Sequence, residues 1–338
     1  MNLLIAGGCG FIGSEFVRMT LREHPEDRVI VLDKLTYAGN PHNLDTVRDD
    51  PRFRFVHGDI ADERVVQGLA AVVDVIVNFA AETHVDRSLE TPGSFIQTDV
   101  FGTWVLIEAA RHFAHERYVQ VSTDEVYGDV PGDRSTEQSP LRPRSPYSAS
   151  KAGGDLQIQA YTATYGFPAI ITRGSNTYGP RQYPEKIIPL YILNAMEGRP
   201  LPLYGDGTAV RDYIHVQDHC HAIDIAFRKG SPGRAYNIGT GTETSGVAIA
   251  DMILALLDAP ASLKEFVRDR RGHDRRYALD TSQMTLLGWA PSIDLRHGLA
   301  ATVAWYQANP DWWQPLRTDA YWEFYTRNYR PAHASTSM

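Results

Sequence analysis

The chain begins with Asn2-Leu3-Leu4-Ile5-Ala6 and continues directly into Gly7-Gly8-Cys9-Gly10-Phe11-Ile12-Gly13. The first five residues form a short apolar run of the kind that makes a buried parallel strand. Three glycines spaced by three then permit a tight turn, bring the backbone close to a ligand and let the following helix pack on the strand. Because the amides at a helix start attract anions, this stretch predicts a pyrophosphate-binding strand–turn–helix unit.

An acidic residue at the end of the second strand supports this prediction. Val29 to Leu32 is a second apolar run, and Asp33 follows it about twenty residues after the glycine turn. A carboxylate at that distance can accept hydrogen bonds from the adenosine ribose of a dinucleotide. It would repel a 2′-phosphate, so we expect NAD rather than NADP as the cofactor.

Strand and helix patterns alternate through the first half of the chain. This alternation predicts an α/β fold: a Rossmann-type doubly wound parallel sheet, followed by a smaller, mixed C-terminal substrate lobe. We expect an NAD-binding domain over residues 1–174, to which later segments return, a smaller second lobe over 175–316 and a C-terminal tail over 317–338; only the resemblance described below implies that the second lobe binds a nucleotide-sugar. Ligands bind at the carboxyl ends of the strands in such sheets, where Asp59, Ala80 and Ser122 should meet the glycine turn.

Composition narrows the class of protein. The 338 residues are 43% hydrophobic and 22% charged, with a net charge of −8, which argues against nucleic-acid and anionic-membrane partners. Two cysteines cannot form a disulfide framework, the chain starts with a strand rather than a signal peptide, and no apolar run is long enough to span a membrane. We therefore expect a cytoplasmic protein. Neither His112 with His115 nor His219-Cys220-His221 has zinc-ligand spacing, so no metal is expected.

Two groups of residues suggest proton transfer. Tyr147 and Lys151 are four apart and share one face of a predicted helix. A free tyrosine ionises near pH ~10, and a neighbouring ammonium should lower that pKa, so the pair is interpreted as a base for a hydroxyl group. Asp124 and Glu125 follow a buried strand directly and offer a second acid and base, although adjacent acids are often only a solvated loop.

Basic residues are scattered over the irregular second half of the chain. Lys186, Arg211, Arg270, Arg271 and His273 could be paired surface charges, or they could converge to hold a diphosphate. The residues alone leave both interpretations open, and the second is favoured mainly by the resemblance that follows.

These motifs together resemble the extended short-chain dehydrogenase/reductase family, and within it the dehydratases that act on dTDP-glucose. The resemblance covers the chain to about Leu316. The segments that carry it are Ala80-Ala81-Glu82-Thr83-His84-Val85-Asp86-Arg87-Ser88, Ser122-Thr123-Asp124-Glu125-Val126-Tyr127-Gly128, Tyr147-Ser148-Ala149-Ser150-Lys151, Pro184-Glu185-Lys186 and Gly272-His273-Asp274. The Thr-Asp-Glu triplet discriminates best, because epimerases of similar fold usually carry small residues there.

The resemblance implies a mechanism. Tyr147, held as phenolate by Lys151 and the nicotinamide charge, would deprotonate the sugar 4-hydroxyl while hydride leaves carbon 4. Thr123 would bind the new carbonyl, Glu125 would remove the hydrogen on carbon 5 and Asp124 would protonate the departing 6-hydroxyl. Hydride would then return to carbon 6, giving a 4-keto-6-deoxy sugar.

The resemblance also implies contacts with cofactor and substrate. The expected NAD-binding residues are Gly7, Gly10, Phe11, Ile12, Gly13, Asp33, Lys34, Thr36, Asp59, Ile60, Ala80, Ala81, Thr98, Ser122, Tyr147 and Lys151. The expected substrate-binding residues are Thr83, Thr123, Asn176, Lys186, Pro202, Tyr204, Arg211, Arg270 and His273. A homodimer is expected, paired through helices near Gly93 to His112 and Tyr147 to Tyr165.

The chain departs from the family pattern on the nucleotide side. Thr83 stands where serine is usual, and Gly174 and Thr177 stand where cysteine and asparagine are usual. These changes leave dTDP and UDP open as the nucleotide. The alternatives are a UDP-sugar 4,6-dehydratase, a nucleotide-sugar 4-epimerase or decarboxylase of the same fold, and, in another class, a catalytically idle dinucleotide-binding protein.

Overall fold

A computed structural model describes residues 1–269 and 272–329. Its strands are β1 (Asn2–Ala6), β2 (Arg28–Asp33), β3 (Phe53–His57), β4 (Val75–Asn78), β5 (Arg117–Thr123), β6 (Ala169–Gly174), β7 (Asn176–Tyr178), β8 (Leu201–Tyr204), β9 (Val210–His215), β10 (Ala235–Ile238), β11 (Glu243–Ser245) and β12 (Lys264–Val267).

The helices follow the same chain order. They are α1 (Phe11–Glu23), α2 (Glu63–Ala70), α3 (Val85–Glu90), α4 (Pro92–Phe95), α5 (Thr103–His112), α6 (Pro146–Tyr165), α7 (Ile187–Met196), α8 (Val216–Lys229), α9 (Gly246–Leu256), α10 (Ser282–Leu286), α11 (Leu295–Ala308), α12 (Pro310–Trp313) and α13 (Asp319–Asn328). A π-helical segment, Ile96–Gly102, joins α4 to α5, and short 3₁₀ helices cover Pro41–Val47, Asp124–Tyr127, Ala261–Leu263 and Gln314–Leu316. None of the helices in these described parts of the chain could cross a membrane.

Seven parallel strands form the central sheet, in the order β10-β6-β5-β4-β1-β2-β3. The strand β1 lies in the interior of the sheet, between β4 and β2, and is buried on both faces, as its apolar run predicts. One core packs β1 against α1 and α8, and a second core on the opposite face packs the sheet against α2, α5 and α6. The predicted doubly wound α/β fold is confirmed.

The sheet order places the functional segments together. The order reverses between β1 and β4, and in parallel sheets ligands bind where this happens, beyond the carboxyl ends of the strands. The glycine turn follows β1, Asp33 ends β2, Ala80 follows β4 and Thr123 ends β5. In the register of the sheet, Thr123 lies opposite Gly174 of β6. Segments far apart in sequence therefore meet at one edge.

A smaller lobe covers this edge. A three-stranded sheet, β11-β9-β7, and a two-stranded sheet, β12-β8, pack with α7, α9 and α11 around a third core. The chain also returns to the large sheet, because β10 pairs with β6 and α8 packs on α1. The cleft between the large sheet and this lobe is where a ligand can bind.

A buried ion pair fixes α6 to the sheet. Arg173 of β6 donates to the Asp155 carboxylate of α6 at 2.8 Å, and both side chains are almost fully buried. Arg173 also donates to the Tyr127 hydroxyl at 2.8 Å. Burying an unpaired charge would cost several kcal/mol of folding free energy, and these contacts offset that cost for Arg173.

Candidate active site

One cleft of about 420 Å³ runs between the sheet edge and the smaller lobe. Its lining includes every cofactor-binding, catalytic and substrate-binding residue predicted from the sequence except Arg270. Arg270 and the neighbouring Arg271 lie outside the described residues. The structure thus brings the predicted residues, which are spread along the chain from Gly7 to His273, together in one cavity.

The glycine turn is too crowded for side chains. Gly7 has a φ of +74°, and a Cβ on it would lie 2.5 Å from the Ala80 nitrogen. A Cβ on Gly13 would lie 2.4 Å from the Gly7 carbonyl oxygen. Because nothing larger than hydrogen fits, the backbone at the start of α1 is open to the cleft, as a pyrophosphate requires. These residues therefore fit the diphosphate of a dinucleotide.

Asp33 supports the turn from the end of β2. Its Oδ2 accepts from the Cys9 amide at 2.9 Å, and its Oδ1 accepts from the Leu35 amide at 2.8 Å. Each carboxylate oxygen can accept a second hydrogen bond, so Asp33 can still bind ribose hydroxyls at the cleft wall. Its role is thus wider than predicted, since it also shapes the loop that would hold the pyrophosphate.

Lys34 closes the neighbouring part of the cleft. Its Nζ donates to Thr98 Oγ1 at 3.0 Å and lies 3.2 Å from Glu82 and 3.7 Å from Asp59. Lys34, Asp59 and Thr98 line the cavity, and Glu82 follows the lining residues Ala80 and Ala81 in the chain. The interactions tie β2, β3 and the segment after β4 to the π-helical segment, and so define the side of the cleft predicted to hold the cofactor.

The Thr-Asp-Glu triplet turns sharply at the end of β5. The Thr123 side chain caps the short helix Asp124–Tyr127 by accepting from the Glu125 amide at 3.2 Å. Its hydroxyl lies 3.1 Å from Asp124 Oδ1. Threonine caps a helix by this means, and the geometry fixes all three side chains at the cleft.

The surroundings of Asp124 favour the neutral form of its carboxyl group. It is 3% exposed, and its Oδ2 has no hydrogen-bond partner among the described residues. Burial raises the pKa of its carboxyl well above the usual range, and the neighbouring Glu125 carboxylate raises it further, while Arg211 acts in the opposite direction. A protonated carboxyl at neutral pH can donate a proton, so the site contains a general acid beside a second carboxyl group.

Tyr147 and Lys151 differ from the sequence-based expectation. Lys151 is buried and donates from Nζ to the Val121 carbonyl oxygen at 2.9 Å. Burial raises the pKa of the Tyr147 phenol well above its usual value, and the carboxylates of Glu125, Asp99 and Asp124 raise it further. The prediction that the lysine depresses this pKa is wrong for the polypeptide alone, because desolvation and three acids outweigh it. A positively charged nicotinamide ring bound beside Tyr147 would lower the pKa of the phenol.

The helix that carries Tyr147 is pressed against the π-helical segment. Ser150 donates to Asp99 Oδ2 at 2.6 Å, and a Cβ on Gly154 would lie 2.8 Å from the Asp99 carbonyl oxygen. Asp99 is 1% exposed, and burial raises its pKa to about 6, while Lys151 acts to lower it. The two segments therefore touch backbone to backbone, and Tyr147 has little freedom to move.

Polar side chains of the smaller lobe reach the cleft from the other side. Lys186 donates to Thr83 Oγ1 at 2.9 Å and joins the two walls. Arg211 is 8% exposed and donates to the Asp274 carbonyl oxygen at 2.7 Å. Asn176 presents a buried side-chain oxygen with no partner in the part of the chain described. This wall offers cations and an amide, which suit a diphosphate and hydroxyl groups.

The remaining substrate-side residues form a more apolar end. Tyr204 donates to Asp86 Oδ2 at 3.0 Å, and its ring lies 6.1 Å from that of His273. His273 is in turn 2.6 Å from Asp269 Oδ1 through its Nδ1. Pro202 precedes Tyr204 on the same strand, β8, and also lines the cavity.

Sequence reasoning missed several residues of the cleft. Asp99 carries no motif and lies behind the cleft, where it accepts from Ser150 and interacts electrostatically with Tyr147 and Lys151. Asp86 lies within a quoted segment but gave no signal of its own, and Tyr329 lies in the segment expected to be a tail. Their position depends on packing between elements that are distant in sequence, which periodicity cannot reveal.

Comparison with known proteins agrees with this geometry. The family model described as GDP-mannose 4,6 dehydratase matches residues 4–302. A dTDP-glucose 4,6-dehydratase from Actinoplanes sp. is 47% identical over 319 residues, which cover 93% of this chain and 100% of that protein. The solved structure of DesIV, a dTDP-glucose 4,6-dehydratase from Streptomyces venezuelae with NAD bound, is 49% identical with a TM-score of 0.91, covering 94% of this chain and 100% of that chain.

More distant structures share the fold with less sequence identity. UDP-glucose 4-epimerase from Thermotoga maritima is 27% identical with a TM-score of 0.86, covering 92% of this chain and 100% of that chain. The dehydratases are thus nearer to this chain than the epimerase is, in sequence and in structure. With the Thr-Asp-Glu triplet placed beside Tyr147 in the cleft, the chain belongs to the GDP-mannose 4,6 dehydratase family and, within it, to the dTDP-glucose 4,6-dehydratases.

Proposed function

We propose that this protein converts dTDP-glucose to dTDP-4-keto-6-deoxyglucose and water, with NAD as a tightly held cofactor. The observation that carries the proposal is the buried carboxyl group of Asp124 beside Glu125, in the same cleft as Tyr147 and the glycine turn. A 4-epimerase of this fold needs a base and a dinucleotide but has no use for a buried acid. A dehydratase needs that acid to expel a hydroxide as water.

Bound NAD would supply the hydride chemistry of the reaction, the oxidation at carbon 4 of the sugar and the reduction at carbon 6. The glycine turn and Asp33 would hold its diphosphate and ribose, since no side chain fits at Gly7 or Gly13 and Asp33 ends the neighbouring strand. Ser122, Tyr147 and Lys151 line the part of the cleft beyond β5. The cofactor ends each cycle in the form in which it began, so we expect purified protein to retain it.

The acid–base steps are assigned to side chains of the chain itself. Tyr147 takes the proton from the 4-hydroxyl, and Thr123 donates a hydrogen bond to the carbonyl oxygen that forms there. The carbonyl acidifies the adjacent carbon 5, from which Glu125 takes the hydrogen as a proton. Asp124 gives its proton to the 6-hydroxyl, which leaves as water, and the proton that Tyr147 took up is returned to Asp124 by exchange with solvent before the next cycle. The proton held by Glu125 returns to carbon 5 when carbon 6 is reduced.

The substrate would lie across both walls of the cleft. We propose that Lys186, Arg211 and His273, which line the cleft, bind the diphosphate, and the resemblance adds Arg270 to this set. Thr83 and Asn176 would contact the hexose or its phosphate. The high identity to dTDP-glucose dehydratases supports dTDP over UDP as the nucleotide.

The test is turnover by the purified protein without added cofactor, given dTDP-glucose and UDP-glucose separately. A 4-keto-6-deoxy product, faster from dTDP-glucose, is the expected result. Unchanged hexose or the 4-epimer would exclude the dehydratase. Faster turnover of UDP-glucose would support the proposed dehydration but contradict the proposed preference for dTDP.

We further propose a homodimer. Three side chains support it, because Ile96, Phe101 and Leu156 are 53%, 37% and 54% exposed on neighbouring faces of the π-helical segment and α6. Val105 and Ile158, by contrast, are buried inside the protomer. Light scattering should give twice the mass of the chain, and Leu156→Glu should give the monomer; a monomeric wild-type protein would contradict the proposal.

The domain division and the location stay proposals too. We propose a cofactor domain over 1–174 that regains α8 and β10, a nucleotide-sugar lobe over 175–316 and a C-terminal segment over 317–338. We also propose a cytoplasmic location, supported by two free, buried cysteines, Cys9 and Cys220. Fractionation of cells that express the protein would test the location, and limited proteolysis would test the division.

A further inference from the structure

A group of buried polar atoms lies at the end of the cleft where β5 and β6 finish. Ser122 Oγ, Ser175 Oγ and His219 Nε2 have no hydrogen-bond partner among the described residues, and all three residues line the cavity. Each is more than nine-tenths buried, and His219 is only 2% exposed. Buried polar atoms of folded proteins are almost always paired, so this end of the cleft suits a ligand that carries hydrogen-bonding groups.

The imidazole of His219, on α8, is held by the end of β6 and the residues that follow it. Its Nδ1 lies 2.7 Å from Thr177 Oγ1. A Cβ on Gly174 would lie 2.4 Å from its Cε1 and 2.5 Å from its Nε2, so the ring occupies the space that a side chain at position 174 would need. Gly174 and Thr177 are two of the departures from the family pattern, and both of them adjoin His219.

The hydrogen bonds of Thr177 indicate which nitrogen of His219 carries the hydrogen. The Thr177 hydroxyl donates to the Ser175 carbonyl oxygen at 3.2 Å. Because a hydroxyl has a single hydrogen, Thr177 Oγ1 accepts from the Nδ1–H of His219. Burial lowers the pKa of His219 to about 4, and the neutral ring has only one N–H. Nε2 is therefore assigned as an acceptor that needs a donor.

The order of the strands indicates which part of NAD faces this acceptor. Asp33 at the end of β2 is placed for the adenosine ribose, and the glycine turn after β1 for the pyrophosphate. A dinucleotide that continues in the same direction passes β4 and reaches β5 and β6, beside Tyr147 and Thr123. Thr123 lies opposite Gly174 in the sheet register, and Gly174 adjoins His219. The nicotinamide therefore belongs at this end of the cleft.

We propose that His219 Nε2 accepts a hydrogen bond from the carboxamide NH2 group of the nicotinamide. That NH2 group is a donor, and it suits an imidazole nitrogen that carries no hydrogen. The bond would fix the rotation of the nicotinamide ring, and with it the face that the ring presents to the sugar. Thr177 acts through His219 as a positioning residue. The inference assumes NAD in the cleft and does not depend on the proposed dehydration.

The experiment removes the NH2 group from the cofactor and the acceptor from the protein, separately and together. Purified full-length protein with its cofactor is equilibrated with mixtures of NAD and 3-acetylpyridine adenine dinucleotide, in which a methyl ketone replaces the carboxamide. Chromatography of the bound dinucleotides then gives their relative affinity. We expect His219→Asn to reduce the preference of the wild type for NAD over the analogue by about 3- to 10-fold.

Two further variants separate the roles of the two ring nitrogens. Asparagine at position 219 can still donate to Thr177 but places no atom where Nε2 lies. His219→Gln brings an amide oxygen near that position and should therefore keep more of the preference for NAD than His219→Asn does. Thr177→Val keeps the imidazole and removes the group that fixes its tautomer, so it should also reduce the preference. It provides the test if His219→Asn does not fold.

The matched control is His221→Asn on the same helix. The His221 side chain is 46% exposed, and its Nε2 lies 3.4 Å from Glu23 on the surface of the protein. This variant makes the same chemical change two residues along α8 and should show the wild-type preference. Thermal unfolding of every variant separates a local loss of cofactor selectivity from a loss of structure.

An unchanged preference for NAD in folded His219→Asn would overturn the proposal. Nε2 would then either carry the hydrogen and face the carboxamide oxygen, whose counterpart the analogue keeps, or have no contact with the cofactor. An equal loss of preference in His221→Asn would also overturn it. Wild-type protein that retains NAD but does not turn over dTDP-glucose would reject the proposed function and leave this inference standing, so the two failures are distinguishable.

Discussion

Replacing Asp124 by asparagine should stop the reaction halfway. The side chain is 3% exposed, burial raises the pKa of its carboxyl group, and its Oδ1 accepts from the Thr123 hydroxyl. Asparagine has the same shape and can still present an oxygen to Thr123, so the fold should be retained and the free energy of unfolding should change by no more than about 1 kcal/mol. What is lost is the proton for the departing 6-hydroxyl.

The size of the effect follows from the burial of the carboxyl. A positioned general acid contributes roughly 10²- to 10⁴-fold to the rate. Because so little of Asp124 is open to solvent, water cannot easily replace it as the donor, and we expect the upper part of that range, about 10³- to 10⁴-fold. This corresponds to about 4–5.5 kcal/mol in the barrier for elimination. Oxidation at carbon 4, which precedes this step, should proceed.

Single-turnover experiments separate the steps. With dTDP-glucose, Asp124→Asn should accumulate reduced nicotinamide, seen by its absorbance, and should exchange the carbon 5 hydrogen with solvent deuterium. Glu125→Gln, the matched control, should accumulate reduced nicotinamide without that exchange. Loss of nicotinamide reduction in Asp124→Asn, or elimination at the wild-type rate, would refute the assignment of the acid.

Three further predictions concern other parts of the chain. Gly13→Ala should lose bound NAD on purification, because the added Cβ would lie 2.4 Å from the Gly7 carbonyl oxygen. Gly68→Ala is the control and should keep the cofactor, because no atom lies within 4 Å of its added Cβ. Absorbance spectra of the purified variants measure the bound nicotinamide. Asp155→Ala should lower the free energy of unfolding in urea by about 3–5 kcal/mol by stranding the buried Arg173, and a loss under 1 kcal/mol would contradict this. Asp99 has a pKa of about 6 in the folded protein and therefore binds its proton more tightly there than in the unfolded chain. As the pH rises from about 4 to 6, the free energy of unfolding of the wild type should therefore fall relative to that of Asp99→Asn. A difference in unfolding free energy that stays constant over this pH range would contradict the prediction.

Local sequence was enough to predict the cofactor half of the site. The glycine turn and Asp33 are set by neighbours within one strand–turn–helix unit, and the Thr-Asp-Glu triplet directly follows a buried strand. Such features depend on contacts close in sequence and on the rule that ligands bind at strand ends. The pairing of parallel strands then makes their convergence predictable as well.

Properties that depend on distant packing could not be predicted. The raised pKa of Tyr147 results from burial together with acids from two other segments, so the spacing to Lys151 gave the wrong sign for the polypeptide alone. Tyr329 stands in a stretch without motif or strong pattern, and only the folded chain places it next to Tyr204. Desolvation and lobe closure are collective effects, and no single window of sequence contains them.

The close approach of α6 to the π-helical segment has a consequence for engineering. The Ser150 bond and the bare backbone at Gly154 lock the helix that bears Tyr147 to Ile96–Gly102. Those same two segments display the exposed apolar side chains Ile96, Phe101 and Leu156. Changes meant only to alter quaternary structure therefore act on the scaffold that aims the reactive phenol, and a redesigned subunit contact should be judged by reaction rate as well as by mass.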